Sequence, residues 1–336
     1  NCGNFTLSLS PSSFTCANVG VNAVVLTAED DYNNISTCNA NIIVEDNVDP
    51  TPICQDITVQ LDASGNASIT PGDVDNGSSD ACGLLSLVVS PSSFTCLNVG
   101  GNPVVLTVTD NNNNVSTCGA TVTIQDNVPP VITCPSNITQ NTDLNLCTAY
   151  VPVPPLTIYS DACGIASIIN NYNGTSDATD IYPEGTNSVI WIVTDVNGKQ
   201  TQCTQIIEII DNQVPTITCP LTPFGNSIFR PTAANQCYAT ISMTLPVTGD
   251  NCGVASTIND FNGTNNASGN YPVGITTITW TVTDVNGNTN FCQDFILVID
   301  NQNPVAVCQN YTAQLNSAGF VSVNPTSVDA GSTDNC

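Results

Sequence analysis

A five-residue phrase that begins with Asp-Asn and ends with proline recurs along the chain, and a cysteine soon follows each copy. The copies begin at Asp46, Asp126, Asp211 and Asp300, so their spacings are 80, 85 and 89 residues. A period this long is typical of whole small domains arranged in series and is too long for the turns of a solenoid. The sequence therefore predicts a chain of similar domains.

The repeated phrase divides the chain into three complete repeats and two flanking pieces. We predict the C-terminal part of a repeat at 1–45, complete repeats at 46–125, 126–210 and 211–299, and the N-terminal part of a repeat at 300–336. The first two pieces share an Asn-Val-Gly segment and form one subtype, the next two share a Pro-x-Gly segment and form a second, and the last resumes the first subtype. Because half a sandwich cannot bury its own core, we expect a segment of a longer repetitive protein.

Apolar, β-branched runs that end in aspartate precede turns rich in Asn and Gly in each complete repeat. The runs occupy residues 104–110, 190–195 and 278–284, and second apolar runs return at 203–210 and 292–299. Two such runs joined by an Asn-Gly turn are typical of a β-hairpin.

The composition is that of a β protein. Strand-forming and turn-forming residues such as Thr, Val, Ile and Asn are abundant, whereas Lys, Arg and Met are scarce. Proline in each linker restricts the backbone to extended geometry. We therefore predict an all-β chain of tandem immunoglobulin-like β-sandwich domains in an extended, disulfide-stapled rod.

Cysteine usage indicates the compartment and leaves the pairing open. The chain has 17 cysteines and no histidine, which favours disulfides over zinc and an extracellular or cell-surface location. Four cysteines per repeat allow three pairings. The simplest scheme joins the cysteine of each Cys-Gly turn to the last strand, and the first-strand cysteine to the remaining one. It predicts the bridges Cys2–Cys38, Cys54–Cys96, Cys82–Cys118, Cys134–Cys147, Cys163–Cys203, Cys219–Cys237 and Cys252–Cys292. On this scheme we expect the partners of Cys16, Cys308 and Cys336 to lie outside the chain.

The charge balance has two interpretations. The chain has 28 Asp and Glu residues against 2 Lys and Arg, which gives a net charge of −26. In the first interpretation the acids form turns through hydrogen bonds to nearby backbone and keep the surface soluble. In the second, carboxylates and Asn carbonyls from the linker, the Cys-Gly turn and the last hairpin converge to bind a structural Ca²⁺, which prefers oxygen ligands. The candidate metal ligands are Asp46, Asp80, Asp110 and Asn112, then Asp126, Asn127, Asp161, Asp195 and Asn197, and finally Asp211, Asp250, Asp284 and Asn286.

Several function classes receive no support from the sequence. Without histidine there is no Ser-His or Cys-His dyad. Acidic residues that recur with the domain period also do not resemble a single active site. We therefore predict no catalysis, and no catalytic or cofactor-binding residues other than the Ca²⁺ ligands. The negative charge disfavours nucleic acid, and no segment is suited to membrane insertion. Trp191 and Trp280 occupy equivalent strand positions and are expected in the core, with a sugar-stacking platform as the alternative.

Three motifs carry a resemblance to a known family. They are the Asp-Asn-x-x-Pro-x-Ile-Thr-Cys-Pro phrase at 126–135 and 211–220, the Asp-x-Cys-Gly turn, and the Thr-Asp-Val-Asn-Gly hairpin at 194–198 and 283–287. The chain resembles the hyalin repeat, or HYR, family, and in particular the repeats of giant surface adhesins of Bacteroidetes bacteria that glide. That resemblance implies an immunoglobulin-like fold, an adhesive role and export by type IX secretion.

We accordingly predict a repeat segment of a filamentous adhesin, a stiff stalk that projects from the cell surface and supports attachment or gliding. Its expected partners are surface polysaccharide, the substratum or other filament subunits. A carbohydrate- or protein-binding module, for which exposed Tyr150, Tyr159, Tyr172 and Phe261 are the candidate contacts, and a matrix or sheath protein remain the alternatives.

Overall fold

A computed structural model of the chain describes residues 3–221 and 227–336. Strands dominate it, so the prediction of an all-β chain is confirmed. The chain divides into two compact units, and the fold is described within each of them. Unit 1 consists of residues 1–134, 156–176 and 190–203, and unit 2 of residues 135–155, 177–189 and 204–336.

The N-terminal piece, residues 1–45, belongs to unit 1. Its strands are β1 (Phe5–Ser10), β2 (Gly20–Asp30) and β3 (Ile35–Val44). They form an antiparallel sheet in that order, and a 3-10 helix at Cys16–Asn18 precedes β2.

Repeat 46–125 also lies within unit 1 and contains one four-stranded sheet and one two-stranded ribbon. Its elements are β4 (Ile57–Gln60), β5 (Asn66–Ser68), α1 (Pro71–Val74), β6 (Leu84–Ser90), β7 (Ser93–Thr95), a 3-10 helix (Cys96–Asn98), β8 (Gly100–Asp110) and β9 (Val115–Gln125). The sheet has the order β4-β9-β8-β6, and β5 pairs with β7. The first strand β4 runs parallel to the last strand β9, whereas the other neighbours are antiparallel.

Repeat 126–210 contributes segments to both units. Its strands are β10 (Val131–Ile132), β11 (Ile138–Asn141), β12 (Thr148–Val151), β13 (Tyr159–Ser160), β14 (Ile165–Asn170), β15 (Asp180–Pro183), β16 (Gly185–Asp195) and β17 (Gln200–Ile210). Within unit 1, β10 pairs with β13 and β14 with β16. Within unit 2, β11 runs parallel to β17 and β12 pairs with β15.

Repeat 211–299 lies within unit 2. Its strands are β18 (Thr216–Thr218), β19 (Ser227–Pro231), β20 (Tyr238–Ile241), β21 (Val247–Gly249), β22 (Val254–Asn259), β23 (Gly269–Pro272), β24 (Gly274–Asp284) and β25 (Thr289–Ile299). The sheet order β19-β25-β24-β22 matches that of repeat 46–125, and β18–β21 and β20–β23 form ribbons. In the last piece, residues 300–336, a 3-10 helix spans Pro325–Ser327.

The predicted hairpins are confirmed, and an aspartate at the end of the first strand forms each turn. Asp284 ends β24, and its Oδ1 accepts the backbone N–H groups of Asn286 (2.9 Å) and Asn288 (2.8 Å). Asp110 and Asp195 make the same pair of bonds two and four residues onward. The turn therefore depends on a local side-chain contact, which is why the sequence could indicate it.

The core is formed by alternate residues of the long strands. In β24, Ile278, Trp280 and Val282 are each fully buried, and they alternate with partly exposed residues as the pleat requires. The tyrosine Tyr271 is buried beside them, and its hydroxyl donates to the carbonyl of Ala267. Trp191 is also fully buried, so both tryptophans are core residues and neither is a sugar-stacking platform.

The described residues contain six disulfides, and the predicted pairing is wrong. The first-strand cysteine bonds to the last strand of the same repeat in Cys54–Cys118, Cys134–Cys203 and Cys219–Cys292. The reason is the parallel pairing of the first and last strands. In repeat 46–125 it places Ile57 opposite Val122, which brings Cys54 beside Cys118.

In the three complete repeats, the cysteine of the Cys-Gly turn bonds to the preceding repeat or piece. These inter-repeat bridges are Cys16–Cys82, Cys96–Cys163 and Cys147–Cys252. They replace the predicted Cys82–Cys118, Cys54–Cys96, Cys163–Cys203, Cys134–Cys147 and Cys252–Cys292, while Cys219–Cys237 gives way to Cys219–Cys292. Of the predicted Cys2–Cys38 bridge, Cys2 lies outside the described residues and Cys38 is an exposed free cysteine.

Candidate metal sites at the repeat junctions

Three groups of acidic residues occur in the described parts of the chain, each where a linker meets a Cys-Gly turn. Within a group, one ligand atom from each residue lies within 4.8 Å of the others. The groups are Asp46, Asp80 and Cys82; Asp126, Asp161 and Cys163; and Asp211, Asp250 and Asp284. Since Cys82 and Cys163 are in disulfides, they offer no thiolate, and the first two groups each supply two carboxylates.

The group in repeat 211–299 brings together all three predicted carboxylates. Asp211 and Asp284 are 4% and 1% exposed, and Asp250 is half-buried. Asp250 Oδ1 accepts the backbone N–H groups of Cys252 (2.8 Å) and Gly253 (2.9 Å). Each carboxylate is thus held in place by one of its oxygens.

Two of the second oxygens at this site lack a hydrogen-bond partner. Asp211 Oδ1 accepts the amide of Asn251 at 3.0 Å, but Asp211 Oδ2 is buried without a hydrogen-bond partner, and so is Asp250 Oδ2. Asp284 Oδ2 accepts the amide of Asn288 at 2.8 Å. Buried carboxylate oxygens need a compensating charge or donor. A donor set made only of oxygens suits a hard cation such as Ca²⁺, so the residues present fit the predicted ion.

The corresponding sites in the other two complete repeats are similar but hold fewer converging carboxylates. Asp46 Oδ2 and Asp195 Oδ2 are buried without partners. Asp110 and Asp195 are almost fully buried but lie outside the 4.8 Å groups, at the turn that closes each hairpin. Burial alone would raise the pKa of Asp110, yet hydrogen bonds from Asn114 and the backbone of Asn112 outweigh burial and lower it.

The predicted asparagine ligands are directed differently from one another. Asn197 donates its amide to Asp126 Oδ2 at 2.7 Å and so belongs to the site. By contrast, Asn127 donates to Gln60, and Asn286 donates to Glu184 at 2.8 Å. Asn112 contacts the turn aspartate through its backbone N–H.

Other asparagines at the sites were missed by sequence reasoning. Asn114 and Asn288 follow the turn aspartate by four residues, and each donates both to that aspartate and to the linker backbone. Asn251 joins the linker Asp211 to the carbonyl of Leu146 in the preceding repeat (3.0 Å). The four-residue spacing from aspartate to asparagine was the available signal for the first two.

The aromatic residues considered as a binding surface differ in their exposure and contacts. Tyr150, Tyr159 and Tyr172 are 56%, 39% and 36% exposed. Phe261 stacks on the core residue Tyr271 with ring centroids 4.3 Å apart, so its role is structural. Among the residues that the structure describes, no helical segment has the length and apolar character needed to span a membrane.

Comparison with known proteins gives a family and two curated relatives. The HYR domain matches residues 125–209 and 210–298, which together make up more than half of the chain. Hyalin from Strongylocentrotus purpuratus is 27% identical over 332 residues, covering 94% of this chain and 26% of the relative. Hyalin from Lytechinus variegatus is 28% identical over 278 residues, covering 79% of this chain and 50% of the relative. The chain thus spans between a quarter and a half of the length of these relatives.

The chain was also compared with a solved structure of the protocadherin gamma B7 extracellular cadherin domains 1–4. The alignment covers 88% of this chain and 92% of the chain in that structure. The sequence identity is 14% and the TM-score is 0.33, which does not establish a shared fold.

Proposed function

This chain belongs to the HYR domain family, and on that premise we propose that it is a stiff stalk segment of an extracellular adhesive protein, in which disulfides and Ca²⁺ fix each repeat to the next. The observation that carries the proposal is the coincidence of two devices at the same place. Each inter-repeat bridge ends in a Cys-Gly turn, and the aspartate two residues before that cysteine belongs to an acidic group.

The disulfides support an extracellular stalk. Such bridges persist in oxidising surroundings, and the hyalin relatives are consistent with an extracellular adhesion-type repeat protein. Because a bridge between repeats restricts their relative rotation, it stiffens the joint independently of any ion. The expected partners are surface polysaccharide, the substratum or other stalk chains, and the role we propose is mechanical and not catalytic.

Calcium is the second stiffening element. At the Asp211 site, two buried carboxylate oxygens lack partners although three carboxylates converge. The chain has 2 Lys and Arg residues in total against 28 acids, so protein cations cannot neutralise the acidic groups. A bound Ca²⁺ would connect the linker aspartate, the Cys-Gly turn and the last hairpin, and so would couple the orientation of a repeat to its linker.

The narrower assignment to a gliding-motility adhesin exported by type IX secretion stays a prediction from the sequence resemblance. The two curated relatives are sea-urchin proteins.

The test measures Ca²⁺ binding and particle length on the whole chain. Isothermal titration in non-reducing buffer should detect Ca²⁺ sites, with Mg²⁺ binding more weakly because it demands a tighter octahedral geometry. Small-angle scattering should show a longer, narrower distribution of lengths in Ca²⁺ than in chelator. The double variant Asp211→Asn with Asp284→Asn should lose one site, whereas the control Asp260→Asn, an exposed aspartate in the same repeat, should keep it.

Unchanged scattering and no heat of Ca²⁺ binding would overturn the calcium part of the proposal. A particle that is compact or broadly distributed in length under oxidising conditions, with or without Ca²⁺, would overturn the stalk itself.

A further inference from the structure

The inter-repeat bridges among the described residues, Cys16–Cys82, Cys96–Cys163 and Cys147–Cys252, all run from one repeat to the Cys-Gly turn of the following repeat. The first cysteine depends on the subtype, because Cys16 and Cys96 begin 3-10 helices whereas Cys147 directly precedes β12. Applied once more, the rule selects Cys237 of repeat 211–299 and Cys336 of the last piece. Both are exposed free cysteines in the structure.

The surroundings of Cys237 reproduce those of Cys147. Both cysteines precede a short strand, β12 or β20, whose partner strand ends at the proline of the Pro-x-Gly segment. The carbonyl of Cys147 accepts the N–H of Glu184 at 3.1 Å, and the carbonyl of Cys237 accepts the N–H of Val273 at 3.2 Å. The backbone that presents the sulfur is therefore the same in the two repeats.

The surroundings of Cys336 reproduce those of Cys252 with equal fidelity. Each cysteine follows Asp-Asn. The amide of Asn251 donates to the carbonyl of Leu146 (3.0 Å), the residue before Cys147. In the same way, the amide of Asn335 donates to the carbonyl of Gln236 (3.0 Å), the residue before Cys237.

Each thiol contacts the backbone of the residue before the other cysteine. Cys237 Sγ donates to the carbonyl of Asn335 at 2.6 Å, and Cys336 Sγ lies 3.9 Å from the carbonyl of Gln236. Desolvation, a hydrogen bond with Cys237 and the charge of Asp300 raise the pKa of the Cys336 thiol to about 12. Each sulfur thus lies against the backbone beside the other, and the two cysteines occupy the positions that correspond to those of the Cys147–Cys252 bridge.

We infer that Cys237 and Cys336 form a fourth inter-repeat disulfide. The oxidant is an organic disulfide such as oxidised glutathione. The Cys237 thiolate attacks one of its sulfurs and releases one thiolate, and the Cys336 sulfur then displaces the second. The two cysteines lose two protons and two electrons, the new S–S bond forms, and the organic disulfide leaves as two thiols.

The test counts the cysteines outside protein disulfides, as free thiols plus bound glutathione, in the whole chain oxidised with glutathione and then denatured without reduction. If the bridge exists, Cys336→Ser releases Cys237 as a free or glutathione-capped cysteine, and this count rises by one relative to the parent. If the two cysteines are unpaired, the same variant lowers the count by one. Cys237→Ser should behave identically, and the control Cys308→Ser, an exposed free cysteine, should lower the count by one in either case.

Peptide mapping identifies the partner. Cleavage after aromatic residues and before aspartates isolates Cys237 in residues 230–238 and Cys336 in residues 334–336. A crosslinked pair of these peptides that disappears on reduction is the expected result. Alkylated Cys237 and Cys336 in the oxidised parent, or a crosslink of either one to a different cysteine, would overturn the inference.

Discussion

Replacing Asp250 by asparagine should change the stability of repeat 211–299 in opposite directions with and without Ca²⁺. The carboxylates of Asp211, Asp250 and Asp284 approach within 4.8 Å of one another. At that distance and an effective dielectric constant of about 20, each pair of like charges repels by about 3 kcal/mol. Asparagine keeps the oxygen that caps the Cys-Gly turn, and it replaces the unpartnered Oδ2 with a donor.

Hydrogen bonds and relaxation already offset much of this repulsion, so in chelator we expect Asp250→Asn to stabilise the repeat by about 1 to 2 kcal/mol. In Ca²⁺ the order should reverse. A Ca²⁺ concentration of about 100 times the dissociation constant adds about 2.7 kcal/mol to the free energy of unfolding of the parent. The variant has lost one ligand charge and should lose most of that gain.

Hydrogen exchange in β24 and β25, read by mass spectrometry on the whole oxidised chain, reports the opening free energy of this repeat. Since about 1.4 kcal/mol corresponds to a tenfold change, exchange in chelator should slow about tenfold in the variant, and exchange in Ca²⁺ should accelerate. The control Asp260→Asn also keeps a carbonyl acceptor for a backbone N–H, that of Thr279, but lies outside the group. A variant that is destabilised in chelator, or that responds to Ca²⁺ as the control does, would refute the electrostatic reasoning.

Two further predictions concern a bridge and a buried acid. Gly65 has φ +75°, and a Cβ there would lie 2.6 Å from Cys96 Sγ. Gly65→Ala should therefore strain the Cys96–Cys163 bridge and accelerate its reduction by dithiothreitol. The matched control is Gly174→Ala, at φ +77° with open space around it, which should leave the reduction rate unchanged. Burial raises the pKa of Asp294 above its ordinary value of 3.8, so the unfolded chain ionises first and stability falls as pH rises from 3.8 to the folded-state pKa. Asp294→Asn should therefore raise the free energy of unfolding at pH 7 by about 1 to 3 kcal/mol and have little effect near pH 3, as measured by thermal unfolding across that range; an equal gain at both pH values would contradict the assignment.

Local chemistry explains which features could be predicted from the sequence. The hairpins follow from aspartates such as Asp284 that bond to their own turn, so a few adjacent residues contain all the information. The convergence of Asp211, Asp250 and Asp284 was also predictable, because a sandwich places the linker and these turns at the same end.

The disulfides depended on contacts that no local pattern encodes. Cys54 meets Cys118 because β4 runs parallel to β9, a pairing between strands more than 50 residues apart. Cys82 meets Cys16 because two repeats dock against each other within unit 1. A scheme that kept every bridge within one repeat could not have found either kind of partner.

The inter-repeat bridges also limit how far the chain can be pulled out. From Cys16 to Cys252, a continuous covalent route crosses the bridges Cys16–Cys82, Cys96–Cys163 and Cys147–Cys252 and needs only the short stretches of backbone between them, 82–96 and 147–163. About 30 residues of backbone span about 100 Å when fully extended, whereas the unbridged chain between the same ends would reach about 800 Å. Even if every sandwich unravelled under tension, the oxidised protein could not extend beyond this limit of about 100 Å between these two residues, so the bridges set a maximum length for that part of the chain.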